Sequence, residues 1–343
     1  MKHRTFIWFI FPSLAAMIVF IALPIFSVFT QSLFVSHDQV LIETENCGPF
    51  GCKVEVSVDI NATKQLNIEK PLGKFNGLKT YTNRNHLAFD EVSEAWSSSP
   101  DMYKFFKALL NLPFYKALLF TLTYTFCVTP FVIIIGLFIA LGVNSLPKFL
   151  KGPTIFVSLL PMIVTPLIGA LILFWMTDSE GIIGATLQLI FNNDTLSLKA
   201  SPSLTWLMLI VYGIWHSIPF SFIVFYAGLQ TVPKETIEAA MIDGANRSQR
   251  VWFVTIPYIM PLVIFISLIQ LMDNFRVFEP IVGFSAEANA TSLSWIIYND
   301  LRGQDIQLFG SASATSMLTI IGVGVLLIPI LFKTWRDFNR KVI

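Results

Sequence analysis

Residues 117–147 read ALLFTLTYTFCVTPFVIIIGLFIALGVNSLP and contain no Lys, Arg, Asp or Glu. A helix that crosses a membrane needs about 20 consecutive, mostly apolar residues, whereas an uncharged helix of about 10–14 residues is more often a buried one. The run therefore reads as a membrane span. Outward from it, residues 5–37, 152–177, 200–233, 251–272 and 306–332 are equally free of those four residue types. The fold class that follows is an all-α integral membrane chain with six transmembrane helices, at about 7–33, 117–145, 153–177, 204–229, 257–282 and 312–333. The fifth is the least apolar, because Asp273, Arg276 and Glu279 stand at its outer end. The apolar run 181–191 is too short to span and is expected in the interface or as a re-entrant segment.

Composition supports the same class. The chain is 54% hydrophobic and 13% charged, against about 45–50% and about 25% in soluble domains. That deficit excludes an ordinary cytosolic enzyme, and a net charge of +1 offers no field for nucleic acid. Three cysteines exclude a disulfide-dense scaffold. Basic residues gather on one side of the spans: Lys2 and Arg4, Lys148 and Lys151, Lys234, Arg247 and Arg250, then Lys333, Arg336, Arg340 and Lys341. The short loops on the other side, 178–203 and 283–311, hold only Lys199 and Arg302. The positive-inside rule then places both termini inside. The first span follows a basic start, is too long for a signal peptide and lacks a cleavage site, so it is expected to remain as an anchor.

The long outer loop, 34–116, has patterns of its own. Val54, Val56, Val58 and Ile60 alternate with Glu55, Ser57 and Asp59, which predicts a half-buried strand. Cys47 and Cys52 bracket Gly-Pro-Phe-Gly. In an oxidising compartment they are able to close that loop as a disulfide, two free thiols being the alternative. They supply only half of a tetrahedral zinc shell, so no metal site is expected. Residues 101–116 combine Tyr103, Phe105 and Phe106 with Lys104 and Lys107, the pattern of an amphipathic interfacial helix.

The segment between the fourth and fifth spans carries the functional signal. Pro233 suits a helix start, and Glu235 and Glu238 favour its positive end. Ala239 and Ala240 are strong helix formers that let another surface approach closely, and Gly244 is a natural stop. A second short helix and a fifth span restarting at Pro257 complete a helix, glycine elbow, helix reading. An ordinary surface loop would have the same shape.

The residue pattern is more specific. Glu238-Ala239-Ala240, three residues, Gly244, nine residues and Val254-Thr255-Ile256-Pro257 closely resemble the EAA loop of ABC-importer permeases, whose form ends in Ile-x-Leu-Pro. Trp215 to Phe220, Phe275 to Ile281, Phe309 to Ala314 and Phe75 to Tyr81 resemble further segments of the carbohydrate-uptake branch, the maltose/glycerol-phosphate type, and of its first permease subunit. The likeness is good over roughly 110–340 and partial in the outer loop.

The resemblance implies a type I importer permease fold in a bacterial inner membrane, with both termini cytoplasmic. It implies an anchor helix over 1–33, a periplasmic loop region with short strands over 34–116, and a core permease domain over 117–343. The EAA coupling loop falls at about 231–256 of this sequence. Expected partners are membrane lipid, a second permease, two copies of an ATPase that binds ATP and Mg, and a periplasmic or lipid-anchored sugar-binding protein. This chain would bind no cofactor, metal or nucleic acid. Consistently, the sequence has no Gly-x4-Gly-Lys-Ser/Thr phosphate loop. Glu238, Ala239, Ala240, Asp243, Gly244 and Pro257 would carry ATPase coupling.

Polar residues inside spans are functional candidates by default. His216, Phe220, Gln270, Asp273 and Asn274 are the expected substrate-pathway residues; Asp273–Arg276 and Arg276–Glu279 are each three apart and able to neutralise one another, and Arg276–Glu279 is the expected structural ion pair. Two other readings, a secondary transporter and a membrane receptor without an ATPase, remain open here. An enzyme reading lacks a His-Glu-x-x-His or Gly-x-Ser-x-Gly site.

Overall fold

The computed structural model describes residues 2–48, 51–99, 101–193, 197–199, 201–302 and 308–340. Among these, the helices Phe6–Ser32, Pro113–Asn144, Pro202–Gln230, Arg247–Phe275 and Phe309–Arg336 are long and apolar enough to cross a membrane. The third span, expected at 153–177, is not one continuous helix. It is a pair, Lys148–Ile163 and Pro166–Met176, bent by 90°. Val164 and Thr165 are extended between them (ψ 125° and 145°). A residue before proline is pushed out of the helical region, and Pro166 has no N–H to continue the ladder. The break exposes carbonyls that hydrocarbon cannot satisfy. The fourth span supplies a donor: His216 Nε2 donates to the Val164 carbonyl at 3.2 Å, and beside it Tyr212 Oη donates to the carbonyl of Pro166, in the first turn of the second helix, at 2.8 Å.

The fifth span also departs from its expected bounds of 257–282. It begins at Arg247, runs through a π-helical turn, Val251–Thr255, and continues as Ile256–Phe275. Pro257 therefore sits inside a continuous span instead of restarting one. The helix ends at Phe275, and Glu279–Gly283 is a separate short helix with Pro280 in its first turn. The run 181–191 forms the short apolar helix Ile182–Phe191.

The chain divides into two compact units, residues 1–116 with 296–320, and residues 117–295 with 321–343. In the first unit, strands Leu41–Gly48 and Gly51–Val58 form an antiparallel hairpin. Val54, Val56 and Val58 lie on the second strand, as their alternation predicts. The half-buried face does not follow: Val56 and Val58 are 58% and 40% exposed. Ile60 belongs instead to the helix Ile60–Glu69, because Asp59 Oδ1 accepts from the N–H groups of Asn61 and Ala62 and caps it. The register sets Cys47 opposite Cys52, while the disulfide question lies outside the described residues, which leave both side chains out. The interfacial helix expected over 101–116 is Met102–Leu109, and Pro113 already opens the second span.

Also in the first unit, His86 is fully buried. Its Nδ1 lies 2.7 Å from the Asn83 side-chain amide, and its Nε2 lies 3.1 Å from both Thr315 Oγ1 and the Ser311 carbonyl. Ser311 Oγ donates to Asp300 at 2.6 Å. Burial pushes the His86 pKa below its usual value, against the Ser311 carbonyl and the Asp300 charge, and burial raises that of Asp300.

The second unit holds two apolar clusters. One joins Phe120, Tyr124 and Val128 to Leu209, Ile281 and Phe284, and the other joins Ala140 and Val143 to Phe222, Phe225, Ile259 and Ile266. Small residues let the spans meet: a Cβ on Gly136 would stand 2.8 Å from Ser221 Cβ and 3.2 Å from the Phe222 nitrogen. Lys199 Nζ bonds Asp178 at 2.8 Å and lies over the Phe174 ring, and its hydrogen bond holds the Asp178 carboxyl below the usual carboxylate range.

Candidate functional site

The loop after the fourth span is shaped locally. Pro233 is extended, and the helix Lys234–Ile242 starts behind it. Buried Val232 and the packed Ile237 hold this helix to the spans. Gly244, at φ +80°, ends it. The Gly244 and Ala245 N–H groups donate back to the Met241 and Ala240 carbonyls at 3.1 and 2.9 Å. These are the two bonds of a Schellman stop, which needs a left-handed residue where glycine is strain-free. The next turn, Arg247–Arg250, starts with a capping box. Gln249 N donates to Asn246 Oδ1 at 2.9 Å, and Asn246 N donates to Gln249 Oε1 at 2.8 Å. Glu238, Ala239, Asp243 and Gly244 are exposed and Ala240 is half-buried. Glu238 forms no ion pair or side-chain hydrogen bond among the described residues.

The second feature is a cavity of about 360 Å³ between the broken third span and the fourth and fifth spans. His216, Phe220, Gln270, Asp273 and Asn274 all line it, together with Arg276 and Glu279. Gln270 and Asn274 are 4% and 5% exposed. Asn274 Nδ2 donates to Thr129 Oγ1 at 3.0 Å, which fixes the amide from the second span. The ion pair of Arg276 is made with Asp273, at 2.8 Å, and not with Glu279 as expected. The cause is the end of the helix at Phe275: Asp273 and Arg276 keep the i, i+3 spacing, while Glu279 begins a new helix. His216 donates to the Val164 carbonyl, so its ring braces the break as well as lining the cavity.

Residues 106–337 match the family described as the inner membrane component of binding-protein-dependent transport systems. The chain belongs to that family. It is a multi-pass permease component, and the resemblance of its EAA loop agrees with the match. Similar relatives include the probable ABC transporter permease protein YesP of Bacillus subtilis, 29% identical over 66% of this chain and 75% of that one. The multiple sugar-binding transport system permease protein MsmF of Streptococcus mutans is 28% identical over 61% and 73%. The sn-glycerol-3-phosphate transport system permease protein UgpA of Pectobacterium atrosepticum is 26% identical over 69% and 79%. A solved bacterial alginate ABC transporter, in complex with its alginate-bound periplasmic protein, contains a chain of the same fold. The TM-score is 0.58 at 22% identity, covering 81% of this chain and 96% of that one.

In this permease component the sequence-predicted residues fall into two groups. The elbow collects Glu238, Ala239, Ala240, Asp243 and Gly244, with Pro257 beyond the π turn on the fifth span. The cavity collects the five pathway candidates. Sequence reasoning missed Thr129, Tyr124, Tyr212 and Pro166. Only Pro166 left a signal, through the Pro161-x4-Pro166 spacing inside an apolar run. It also missed the capping box, although Asn-x-x-Gln is legible as one.

Proposed function

We propose that this chain is one of the two permease subunits of an ATP-driven importer of sugars or sugar derivatives. The observation that carries the reading is one compact unit holding both an exposed elbow, whose Glu238 has no partner among the described residues, and a polar cavity inside apolar spans. In this reading both termini and the elbow face the cytoplasm. Glu238 makes a charge-assisted contact with an ATPase, Ala239 and Ala240 allow close docking, and Gly244 permits the turn. A second permease completes the pore. Two ATPase copies bind ATP and Mg, and a periplasmic or lipid-anchored binding protein delivers the cargo. Closure of the ATPases moves the elbow and rocks the spans between inward-open and outward-open states.

The cavity supports a neutral polyhydroxylated cargo better than an anionic one. Its cation, Arg276, is already paired with Asp273. Gln270, Asn274 and His216 offer amide and imidazole groups, and Phe220 an aromatic face for a sugar ring. The test is a pulldown of the chain from native membranes in mild detergent, with mass spectrometry of its companions. Recovery of a second permease and an ATPase, lost in Gly244→Asp, is the expected result. Recovery of neither from membranes with stable chain would overturn the reading.

A further inference from the structure

A larger cavity, about 610 Å³, lies behind the elbow. The ends of the second, fourth and fifth spans meet there, with Ile237 of the elbow helix at its edge. Arg247 and Arg250 line it. Neither guanidinium has an ion pair or side-chain hydrogen bond among the described residues, and Arg250 Nε is buried with no partner. Arg247 is exposed and Arg250 half-buried, but a buried Nε without a partner is costly, so this arrangement favours an acceptor from outside the chain. The neighbouring acids do not supply it: Glu235, Glu238 and Asp243 are exposed on the elbow helix and unpaired among the described residues. A further cation borders the cavity, since Lys151 Nζ donates to the carbonyl of Asn144, a lining residue, at 3.0 Å.

The rest of the wall is apolar. Phe138 and Trp252 are 67% and 63% exposed on helices long and apolar enough to cross a membrane, so that surface is open to acyl chains. An acceptor that meets paired arginines while continuing into hydrocarbon is a phosphodiester on an amphiphile. We propose that this cavity binds the headgroup of an anionic phospholipid. Arg247 and Arg250 clamp the phosphate oxygens, and Phe138 and Trp252 pack the chains. Guanidinium groups suit phosphate bidentately, and basic pockets between transmembrane helices suit anionic headgroups. A free inorganic phosphate would use the arginines and leave the aromatic rim uncovered. The inference rests on the membrane placement of these spans and not on the cargo, and because Arg247 and Arg250 fall within the EAA loop, the test includes an ATPase-bound arm.

The full chain, purified in non-ionic detergent, is titrated in native mass spectrometry with phosphatidylglycerol or with phosphatidylcholine of the same acyl chains. Phosphatidylglycerol is expected to be retained about tenfold better, the worth of one charge-assisted hydrogen bond. R250Q and R247Q should each reduce that preference, and R250K should keep part of it. In proteoliposomes, a brominated phosphatidylglycerol should quench a fluorescence component that disappears in Trp252→Phe. This second measurement does not depend on the arginine variants folding. Equal retention of the two lipids, or a preference unchanged in the R247Q/R250Q double variant, would overturn the proposal. Displacement of the lipid by equimolar inorganic phosphate would overturn it in favour of a soluble-anion site. Loss of the preference once an ATPase is bound would overturn it in favour of a protein carboxylate.

Discussion

In the elbow the hydrogen bonds that set the shape close over three to five residues, as from Gly244 to Met241 and from Ala245 to Ala240. Around the cavity the bonds that tie one span to another join residues 46 to 145 apart, as from Tyr212 to Pro166 and from Asn274 to Thr129. The elbow can therefore be ruined by one backbone angle while the spans stay packed. The cavity wall cannot be altered without touching the packing that holds the spans. On the proposed reading, coupling and translocation should therefore fail in distinguishable ways: the first by loss of communication in a stable protein, the second by loss of both stability and transport.

The sharpest attack on the long-range side is Gly136→Leu. Its Cβ would be forced to within 2.8 Å of Ser221 and 3.2 Å of backbone at Phe222, and backbone does not yield as a side-chain tip does. Overpacking of this kind costs about 1–3 kcal/mol and occasionally more. The folded yield in detergent and the melting temperature should both fall. Gly324→Leu is the control, since nothing lies within 4 Å of its Cβ position. Equal melting temperatures for the two variants would mean that the helix crossing at Gly136 is not as close as described.

Next in size is His86, whose partners lie up to 229 residues away. His86→Leu strands the Asn83 and Thr315 groups, a loss of about 1–3 kcal/mol per buried unsatisfied site. The wild-type chain also carries a pH signature. Because burial lowers the folded pKa of His86 below 6.5, the unfolded chain binds the proton first. The stability is complete above pH 6.5 and falls as the pH drops from there through the folded value. Asp300 works in the opposite sense. Its raised pKa makes the folded state gain as the pH falls from that raised value toward 3.8. Melting curves of the full chain between pH 8 and 5 should show the decline, and His86→Gln should flatten it. A wild-type melting temperature that is flat over this range would count against a neutral, buried imidazole.

This division between local and distant contacts also explains what the sequence revealed. The spans were legible because charge is absent over whole runs, and the elbow because Glu-Ala-Ala and Gly244 act on their own neighbours. The break at Val164–Thr165 was not legible. Prolines also occur inside unbroken helices here, Pro130 and Pro219 among them. The break is braced from another span, by His216 on the Val164 carbonyl and by Tyr212 on Pro166 beside it. The Arg276 partner was misjudged for a related reason. Asp273 and Glu279 are each three residues away, and only the helix end at Phe275 chooses between them. The exposure of Val56 and Val58 was equally hidden, since alternation reports a face without saying what covers it.

Gly244 tests the local side. Its φ of +80° strains any other residue, yet a Cβ there meets nothing within 4 Å. Gly244→Val is therefore expected to cost about 1–2 kcal/mol of elbow geometry and to leave the global melting temperature unchanged. ATPase recovery in the pulldown should drop sharply. Gly244→Asn should keep most of it, because asparagine tolerates the left-handed region. A melting temperature that drops in step with ATPase recovery would show that the elbow is not autonomous.

The smallest effect is the one that most directly weighs the cavity wall. Asn274 Nδ2 donates to Thr129 Oγ1 at 3.0 Å, and Gln270 Oε1 lies 3.5 Å away. Hydrogen bonds between transmembrane helices average only about 0.6 kcal/mol and reach about 1.7, because the partly unfolded chain in a membrane finds other partners. A double-mutant cycle of Asn274→Leu and Thr129→Val should therefore return a coupling near the lower figure. If the amide only locks the second span to the fifth, cargo-stimulated ATP hydrolysis by the reconstituted transporter should follow stability, and both single variants should lose it equally. If the Asn274 amide also meets the cargo, Asn274→Leu should raise the cargo concentration needed for half-stimulation while Thr129→Val leaves it nearly unchanged. The cavity geometry favours the second outcome, since Asn274 lines the cavity and Thr129 stands behind it, outside the lining.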